Sequence, residues 1–465
     1  MNEASSISPS SAAGGVAAAP RTTASPLAQF AWALFDGARS PHNVLVNIFV
    51  FSAYFSSVVI PNGVRGQTMW SFVTATGALL VALTAPVLGA IADAGGRRKP
   101  WLVATMIIGV PSMLTLWLAT PGMTDGLWMI VLALIGGTLF FEHSAIFLNA
   151  MLPNLVRPER IGFLSGLGLA MANFIGILLF LFFLLAWSWN PQPLFGLDLA
   201  AHEPERAVGI LAAIAIVVFG LPLFFVTPDS PSTRRSISEA VSHGISSLIA
   251  TIRKIRLYRN AAVFLLSRIF FYEGFIVLML FTGVFAAGIL HWNATMLIVE
   301  GLINSVVATI AGLFAGWLDT RIGSKKSTIV FVVGCLVCNL ILCSVTTDMV
   351  FFVPIDAAAT ATGGLYPTLS DKVFLVTQCS IAFFVTGGLV TGRALMAKLA
   401  PPSMLNEFFG LFAMSGTATS FVGPACIGIL TTMFQSQRAG VAVGIVFLVI
   451  GVLILFKVKE EIARG

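Results

Sequence analysis

The sequence predicts an all-α polytopic membrane protein with twelve transmembrane helices in two pseudo-symmetric six-helix bundles. Three observations carry that prediction: the composition, the length of the apolar runs and an internal echo between the two halves. Hydrophobic residues make up 57% of the 465 residues and charged residues 10%, whereas a soluble chain carries about 25% charged residues on average. A bilayer removes the conflict, because lipid is the solvent for the apolar surface.

The apolar residues fall in runs of the length a helix needs to cross a hydrocarbon core, roughly 20 residues. Lipid offers no hydrogen-bond partner, so a spanning backbone must be helix or closed barrel. A barrel would alternate apolar and polar residues. Ile210 to Phe225 and Val441 to Phe456 run without such alternation, so helices are predicted. In chain order they fall near 29–60, 67–92, 100–119, 126–151, 161–189, 207–226, 259–289, 294–319, 327–346, 372–399, 405–434 and 439–457.

Residues 1–26 are rich in Ser, Ala, Pro and Gly and are read as a disordered cytoplasmic tail. A six-helix bundle over 27–226 follows. A polar central loop over 227–258 carries Arg234, Arg235, Arg253, Lys254 and Arg256. The second bundle covers 259–457, and 458–465 is a short cytoplasmic tail. A second long loop, 347–371, is acidic (Asp348, Asp356, Asp371).

Charge fixes the expected orientation. With the N-terminus inside, only Arg65, Arg206, Lys372 and Arg438 of the 26 Lys and Arg fall outside, and Arg39, Arg268 and Arg393 lie within helices. That is the positive-inside pattern, with both termini cytoplasmic. The net charge of +6 therefore reports orientation, not a nucleic-acid partner. Cys335, Cys338, Cys343, Cys379 and Cys426 all fall in predicted helices, as small packing residues, and imply neither disulfide framework nor metal site. No H-E-x-x-H, phosphate loop or Ser/His/Asp grouping points to an enzyme, and no cofactor is implied.

The echo lies in two loops at equivalent places. One reads Gly89-Ala-Ile-Ala-Asp93-Ala-Gly-Gly96-Arg97-Arg98-Lys99, the other Gly316-Trp-Leu-Asp319-Thr-Arg-Ile-Gly323-Ser-Lys325-Lys326. Each places an acid at a helix end, a turn glycine and then cations, as duplicated halves require. The first loop resembles the signature loop of the major facilitator superfamily, G-x-x-x-D-x-x-G-R-R. That resemblance implies a latch in which Asp93 meets the start of the eleventh helix and neighbouring arginines. Trp32-Ala-Leu-Phe-Asp36, Asn149-Ala-Met-Leu-Pro153, Pro158-Glu-Arg-Ile-Gly-Phe-Leu-Ser-Gly166 and Gly410-Leu-Phe-Ala-Met-Ser-Gly416 are similar to the branch of that superfamily containing the fungal vacuolar amino-acid effluxer linked to autophagy. Gly37 stands where family members often have Trp.

An ionisable group inside a bilayer costs a few kcal/mol or more, so it faces a cavity or a partner. The predicted first helix carries Asp36, Arg39, Asn43 and Asn47 at offsets that share one α-helical face. The fourth carries Glu142, His143 and Asn149, the seventh Arg268, Tyr272 and Glu273, the eighth Glu300 and Asn304, and the tenth Gln378 and Arg393. In the fold the resemblance implies, helices one, four, seven and ten line a central cavity. A water-filled chamber lined by Asp36, Arg39, Glu142, Arg268, Glu273 and Arg393 is therefore expected.

Alternatives stand beside this. Asp36 and Arg39 neutralise each other, or Pro41 starts the helix and leaves both among headgroups. His143 is a packed histidine, Glu300 pairs with a neighbouring helix, and the run Phe180 to Phe183 faces lipid. Arg268 and Glu273 cannot share a face, and Arg268 with Tyr272 is preferred for the chamber. The expected function is a secondary transporter, working as a monomer in a bacterial cytoplasmic membrane, that moves a small polar or zwitterionic solute. Arg268 or Arg393 would hold a carboxylate, Asp36 or Glu142 an amine, and Glu142 a coupling proton. An exporter of amphiphiles or lipids, or a non-transporting membrane partner, would share the fold.

Overall fold

The computed structural model describes residues 23–94, 97–157, 160–229, 242, 258–359, 361–401 and 404–459, with backbone alone at 93, 94 and 405–407. Gly96, most of the tail 1–26, residues 460–465 and the cations of the central loop lie outside the described residues, as does the Asp93 side chain. Among the described residues twelve helices are long and apolar enough to cross a membrane. They are α1 (Pro26–Val59), α2 (Gly63–Ala92), α3 (Lys99–Leu118), α4 (Leu127–Leu155), α5 (Ile161–Ser188), α6 (Glu203–Val226), α7 (Arg259–Ile289), α8 (Ala294–Ile322), α9 (Ser324–Ser344), α10 (Leu369–Leu399), α11 (Phe408–Phe434) and α12 (Gln437–Phe456). An antiparallel two-residue pair, β1 (Met349–Val350) with β2 (Val353–Pro354), decorates the loop between α9 and α10.

Several helices start earlier than the hydropathy suggests, because their caps are polar. The Ser25 hydroxyl accepts the Ala28 N–H at 3.2 Å, and Pro26 follows in the first turn, where its missing N–H costs nothing. Pro41 therefore lies inside α1 and does not start it. α8 starts at Ala294, as the hydropathy suggests, where Asn293 caps it by accepting the Met296 N–H at 3.0 Å. Thr368 and Asp371 form a reciprocal capping box that starts α10 at Leu369. Between α8 and α9 the chain turns at Gly323 with φ +85°, a backbone conformation that disfavours any side chain.

Among the helices that are not regular, α1 and α11 depart furthest along their length. Pro41 removes one rung of the α1 ladder, and beyond it the helix widens to π-type bonding over His42–Phe49 and Phe55–Val59. In α11, expected to run unbroken over 405–434, regular helix stops at Thr417 and resumes at Val422. The break coincides with hydroxyls that turn onto the backbone. Thr419 donates to Ser415 O at 3.4 Å and Ser420 to Thr417 O at 3.0 Å.

The two halves repeat one set of clips. Lys99 Nζ donates to the Phe224 carbonyl at the end of α6 (2.8 Å), and Lys325 Nζ to the Phe456 carbonyl at the end of α12 (2.9 Å). At the other end Arg206 Nε donates to Trp117 O closing α3 (2.9 Å), and Arg438 Nε to Cys343 O closing α9 (2.9 Å). Each cation meets helix-terminal carbonyls that have no partner within their own helix. Arg206 and Arg438, two of the few cations on the minority side, therefore have structural work there.

The end that holds both described chain ends is called the terminal end here, and the opposite end the loop end. Hydrogen bonds crossing between halves, among the described residues, all lie toward the loop end. Gln67 Nε2 on α2 donates to Thr431 Oγ1 on α11 at 2.8 Å and to Gln437 O at 3.0 Å. Thr68 meets Thr432 at 3.3 Å, and Ser188 of α5 bonds Thr295 of α8. Glycines show the same asymmetry. A Cβ on Gly283 of α7 would lie 2.4 Å from Ile48 O, whereas one on Gly89, Gly166, Gly316 or Gly410, toward the terminal end, would meet nothing within 4 Å. Among the described residues, the hydrogen bonds that join the halves gather at the loop end.

One surface expectation is overturned. Phe180 and Phe183 are each 2% exposed. Phe180 packs edge-on against Phe49 and onto Gly301 of α8, and Phe183 against Trp187. The missing side chain at Gly301 leaves room for an aromatic ring between halves, so this part of the run does not face lipid.

Candidate functional site

A cavity of about 200 Å³ lies where the two halves meet. Its polar lining comes from Asn43 and Asn47 on α1, Trp70 and Thr74 on α2, Thr138 and Glu142 on α4, Tyr272 on α7, and Thr417 and Ser420 on α11. Leu134, Ile276, Met279 and Leu280 supply apolar wall.

The wall differs from the one the sequence suggests. Of the expected residues, Asn43, Asn47, Glu142 and Tyr272 line the cavity, and α10 contributes none of the lining. The face-sharing argument for α1 assumed α-helical phase throughout. A π-helical turn takes more residues, so Asp36 and Arg39 lose register with Asn43 and Asn47, which stay together four residues apart.

Asp36 and Arg39 instead form a half-buried clamp. Arg39 Nη1 meets Asp36 Oδ1 at 2.6 Å, Nη2 donates to the Phe141 carbonyl at 2.7 Å, and the guanidinium lies 4.7 Å from the Phe141 ring centroid. Asp36 rests on Gly168 of α5, where a Cβ would come within 2.7 Å of Oδ2. Glu142 follows Phe141 directly. The clamp therefore fixes the backbone that aims Glu142 into the cavity and puts a positive charge within electrostatic reach of it. The Glu142 carboxylate itself has no hydrogen-bond partner among the described residues.

Arg268 stands behind the opposite wall. Its Nη1 donates to Ser415 Oγ at 2.6 Å, and its guanidinium lies 3.8 Å from the Phe412 ring centroid and 4.7 Å from that of Tyr272. It is 6% exposed, held by α11 beside the lining residues Gly416 and Tyr272. Arg393 is exposed on α10, away from the cavity but within electrostatic reach of Arg268. Asn149 is exposed on α4, and Gln378 is buried on α10. Glu273 is 1% exposed and accepts the Gly423 N–H at 2.8 Å, a carboxylate at the N-terminus of the second part of α11. It points away from Arg268, as their spacing requires.

His143 Nε2 meets Thr84 Oγ1 at 2.8 Å, a satisfied contact between α2 and α4. Glu300 does not pair with a neighbouring helix: its Oε1 accepts from Asn304 Nδ2, one turn along α8, at 2.9 Å. In the loops, Arg97 is exposed, the Arg98 backbone N–H donates to Asp229 Oδ1 at 2.8 Å, and Asp319 pairs with Lys398 at 3.3 Å.

Sequence reading missed the contributions of α2 and α11, and His42. The hydroxyl-rich run Ser415-Gly-Thr-Ala-Thr-Ser420 inside an apolar helix was the available signal. Trp70 lines the cavity, and its Nε1 is a buried donor without a partner. His42 is fully buried, touching Asn47 Nδ2 at 3.3 Å through Nε2 while its Nδ1 is unpartnered.

The family model described as "Vacuole effluxer Atg22 like" matches residues 55–465. The chain belongs to this family. It is 23% identical over 439 residues, 92% of this chain and 94% of the relative, to the uncharacterized MFS-type transporter YxiO of Bacillus subtilis. It is 25% identical over 215 residues to autophagy-related protein 22 of Cryptococcus neoformans, 46% of this chain and 36% of the fungal protein. The fold matches that of a crystallised D-xylose–proton symporter with TM-score 0.63 at 12% identity, over 94% of this chain and 97% of that one. This Atg22-like chain is thus an integral, multi-pass secondary transporter of the major facilitator type and not an enzyme.

Proposed function

We propose that this Atg22-like protein moves a small zwitterionic or polar organic solute of amino-acid type by alternating access of its two halves. The carrying observation is Glu142: a carboxylate without a protein partner, in a chamber to which both halves contribute. The chamber size supports the same reading, since about 200 Å³ falls below the roughly 300–1,000 Å³ of pockets for drug-sized ligands. An amphiphile or lipid would need more room and no carboxylate.

In this reading Glu142 meets the ammonium of the solute. Asn43, Asn47 and the Tyr272 hydroxyl offer hydrogen bonds, and Arg268 sets a positive potential behind the opposite wall. When the solute leaves, Glu142 trades the ammonium for a proton, which couples uptake to pH. The halves then part at the loop end and close over the open glycines at the terminal end. The Lys and Arg distribution supports a cytoplasmic terminal end in a bacterial cytoplasmic membrane, with a single copy as the working unit.

The test is uptake into proteoliposomes, screened over amino acids, small peptides and organic acids with and without a proton gradient. A hydrogen bond to a charged group contributes about 1.5–3 kcal/mol. Glu142→Gln should therefore raise KM for the transported solute by roughly ten-fold or more. Unchanged KM and unchanged pH dependence in that variant would remove Glu142 from the site.

A further inference from the structure

Glu300 lies in the membrane on α8, outside the cavity, 2% exposed. Asn304 Nδ2 donates to its Oε1 at 2.9 Å. Its Oε2 has no partner, and neither does Asn304 Oδ1. No Lys, Arg or His forms an ion pair with Glu300 among the described residues. The titratable groups facing it from other elements are Tyr366, in the loop before α10, and Cys379 on α10. Neither is a cation, and the Tyr366 hydroxyl is committed to Met296 O at 2.6 Å. Asp371, near Tyr366, is held by Trp292 Nε1 at 2.8 Å and by its capping box.

An unpaired carboxylate so placed is costly, and a buried acid in that position is neutralised instead. The two orphaned oxygens belong to neighbouring groups, and both are acceptors that lack a donor. One proton supplies what both lack. Taken from water onto Glu300 Oε2, it brings the carboxylate from −1 to neutral. Oε2–H then donates to Asn304 Oδ1 while Nδ2–H continues to donate to Oε1, closing an acid–amide ring with no group unsatisfied.

We propose that Glu300 and Asn304 form a proton-binding site on α8, separate from the solute cavity. Its position ties it to the loop-end seal. Gly301, the next residue, lies against Phe180 of α5 and Phe49 of α1, where a Cβ would stand 3.1 Å and 3.2 Å from their rings, and Thr295 bonds Ser188 across the same contact. Parting the halves there strips the cover from α8 and lets water reach Glu300. The protonated ring belongs to the sealed loop end, and deprotonation belongs to the open one. Proton binding stands on the site's own atoms; its link to the seal rests on the alternating-access reading above.

The experiment is infrared difference spectroscopy of the full chain in nanodiscs across a pH titration, in sodium-free buffer and then with sodium. A protonated-carboxyl stretching band should be lost in Glu300→Gln and retained in Glu142→Gln. It should shift in frequency in Asn304→Ala, which keeps the acid but removes its ring partner. Glutamine at 300 reproduces the protonated ring, since its amide donates to Asn304 Oδ1, so this variant should fold. A spectrum unchanged by Glu300→Gln overturns the site. A wild-type band that is absent at every pH, together with stabilisation by sodium, overturns the proton in favour of a metal cation. In liposomes, the ratio of pH-driven accumulation to solute counterflow should fall at least ten-fold in Glu300→Gln. An unchanged ratio beside a lost band overturns the coupling and leaves the proton site standing.

Discussion

Gly283 is the sharpest place to perturb the loop-end seal. On α7 it faces the carbonyl of Ile48 in the π-helical stretch of α1, and a Cβ there would stand 2.4 Å from that oxygen. The obstacle is backbone, already accepting Ser52 Oγ at 3.0 Å, so no side chain can swing aside. Gly283→Ala forces α1 and α7 apart by several tenths of an ångström or strains both. Overpacking of this kind costs about 1–3 kcal/mol. The cost falls on the sealed loop end and not on a state in which α1 and α7 have separated, so the equilibrium should move roughly 5- to 150-fold toward loop-end opening. The assay is a single reporter thiol, Ser420→Cys in the cavity wall, in a background without the five native cysteines. A membrane-impermeant maleimide is added from either side. Labelling from the loop-end side should rise and labelling from the terminal side should fall. Equal labelling from both sides in wild type and Gly283→Ala would refute the idea that this contact holds the end shut.

Other expectations follow from single contacts. Arg206→Ala removes both a charged hydrogen bond to the end of α3 and a cation–π contact at 4.6 Å with Trp117. It should lower thermal stability in detergent by about 1.5–3 kcal/mol, while Lys398→Ala, which breaks a pair with a 38%-exposed lysine, should change it by less than about 1 kcal/mol. His202, at the aqueous mouth of α6, has its pKa raised by hydrogen bonding to Glu205. A raised folded-state value means the added stability is fully present below the unfolded value near 6.5 and is lost as pH rises through the folded one. Melting temperature should therefore fall over that window in wild type and not in His202→Gln, measured by scanning fluorimetry.

What the sequence made legible was the part governed by the solvent. Bilayer spans need long apolar runs and charge-marked ends, so twelve helices and their order were readable from Pro26 to Phe456. Local backbone chemistry was not. Periodicity assumes 3.6 residues per turn, and Pro41 with the π-helical stretch after it breaks that assumption where the site begins. Hydropathy passes over Ser415 to Ser420, because small hydroxylated residues still read as membrane-compatible, yet those residues bring α11 into the cavity wall. Ionisable residues were easy to find and hard to aim. Glu142 and Arg268 sit in comparable apolar surroundings in sequence, and only the third dimension places one in the chamber and the other behind it.

That difference in aim has a physical order. A charge in the membrane that can find an internal partner takes it, and what remains unpartnered is where a ligand has something to add. Asp36 with Arg39 and Asp371 with Trp292 have taken partners and hold helices together. Glu142 has only the distant field of Arg39, and Glu273 and Glu300 each have one oxygen satisfied and one not. The clamped residues are not idle, because the hydrogen bond from Arg39 to the Phe141 carbonyl fixes the peptide that presents Glu142. Structural pairs in such a membrane protein are thus the mounts on which the unpaired carboxylates are held ready.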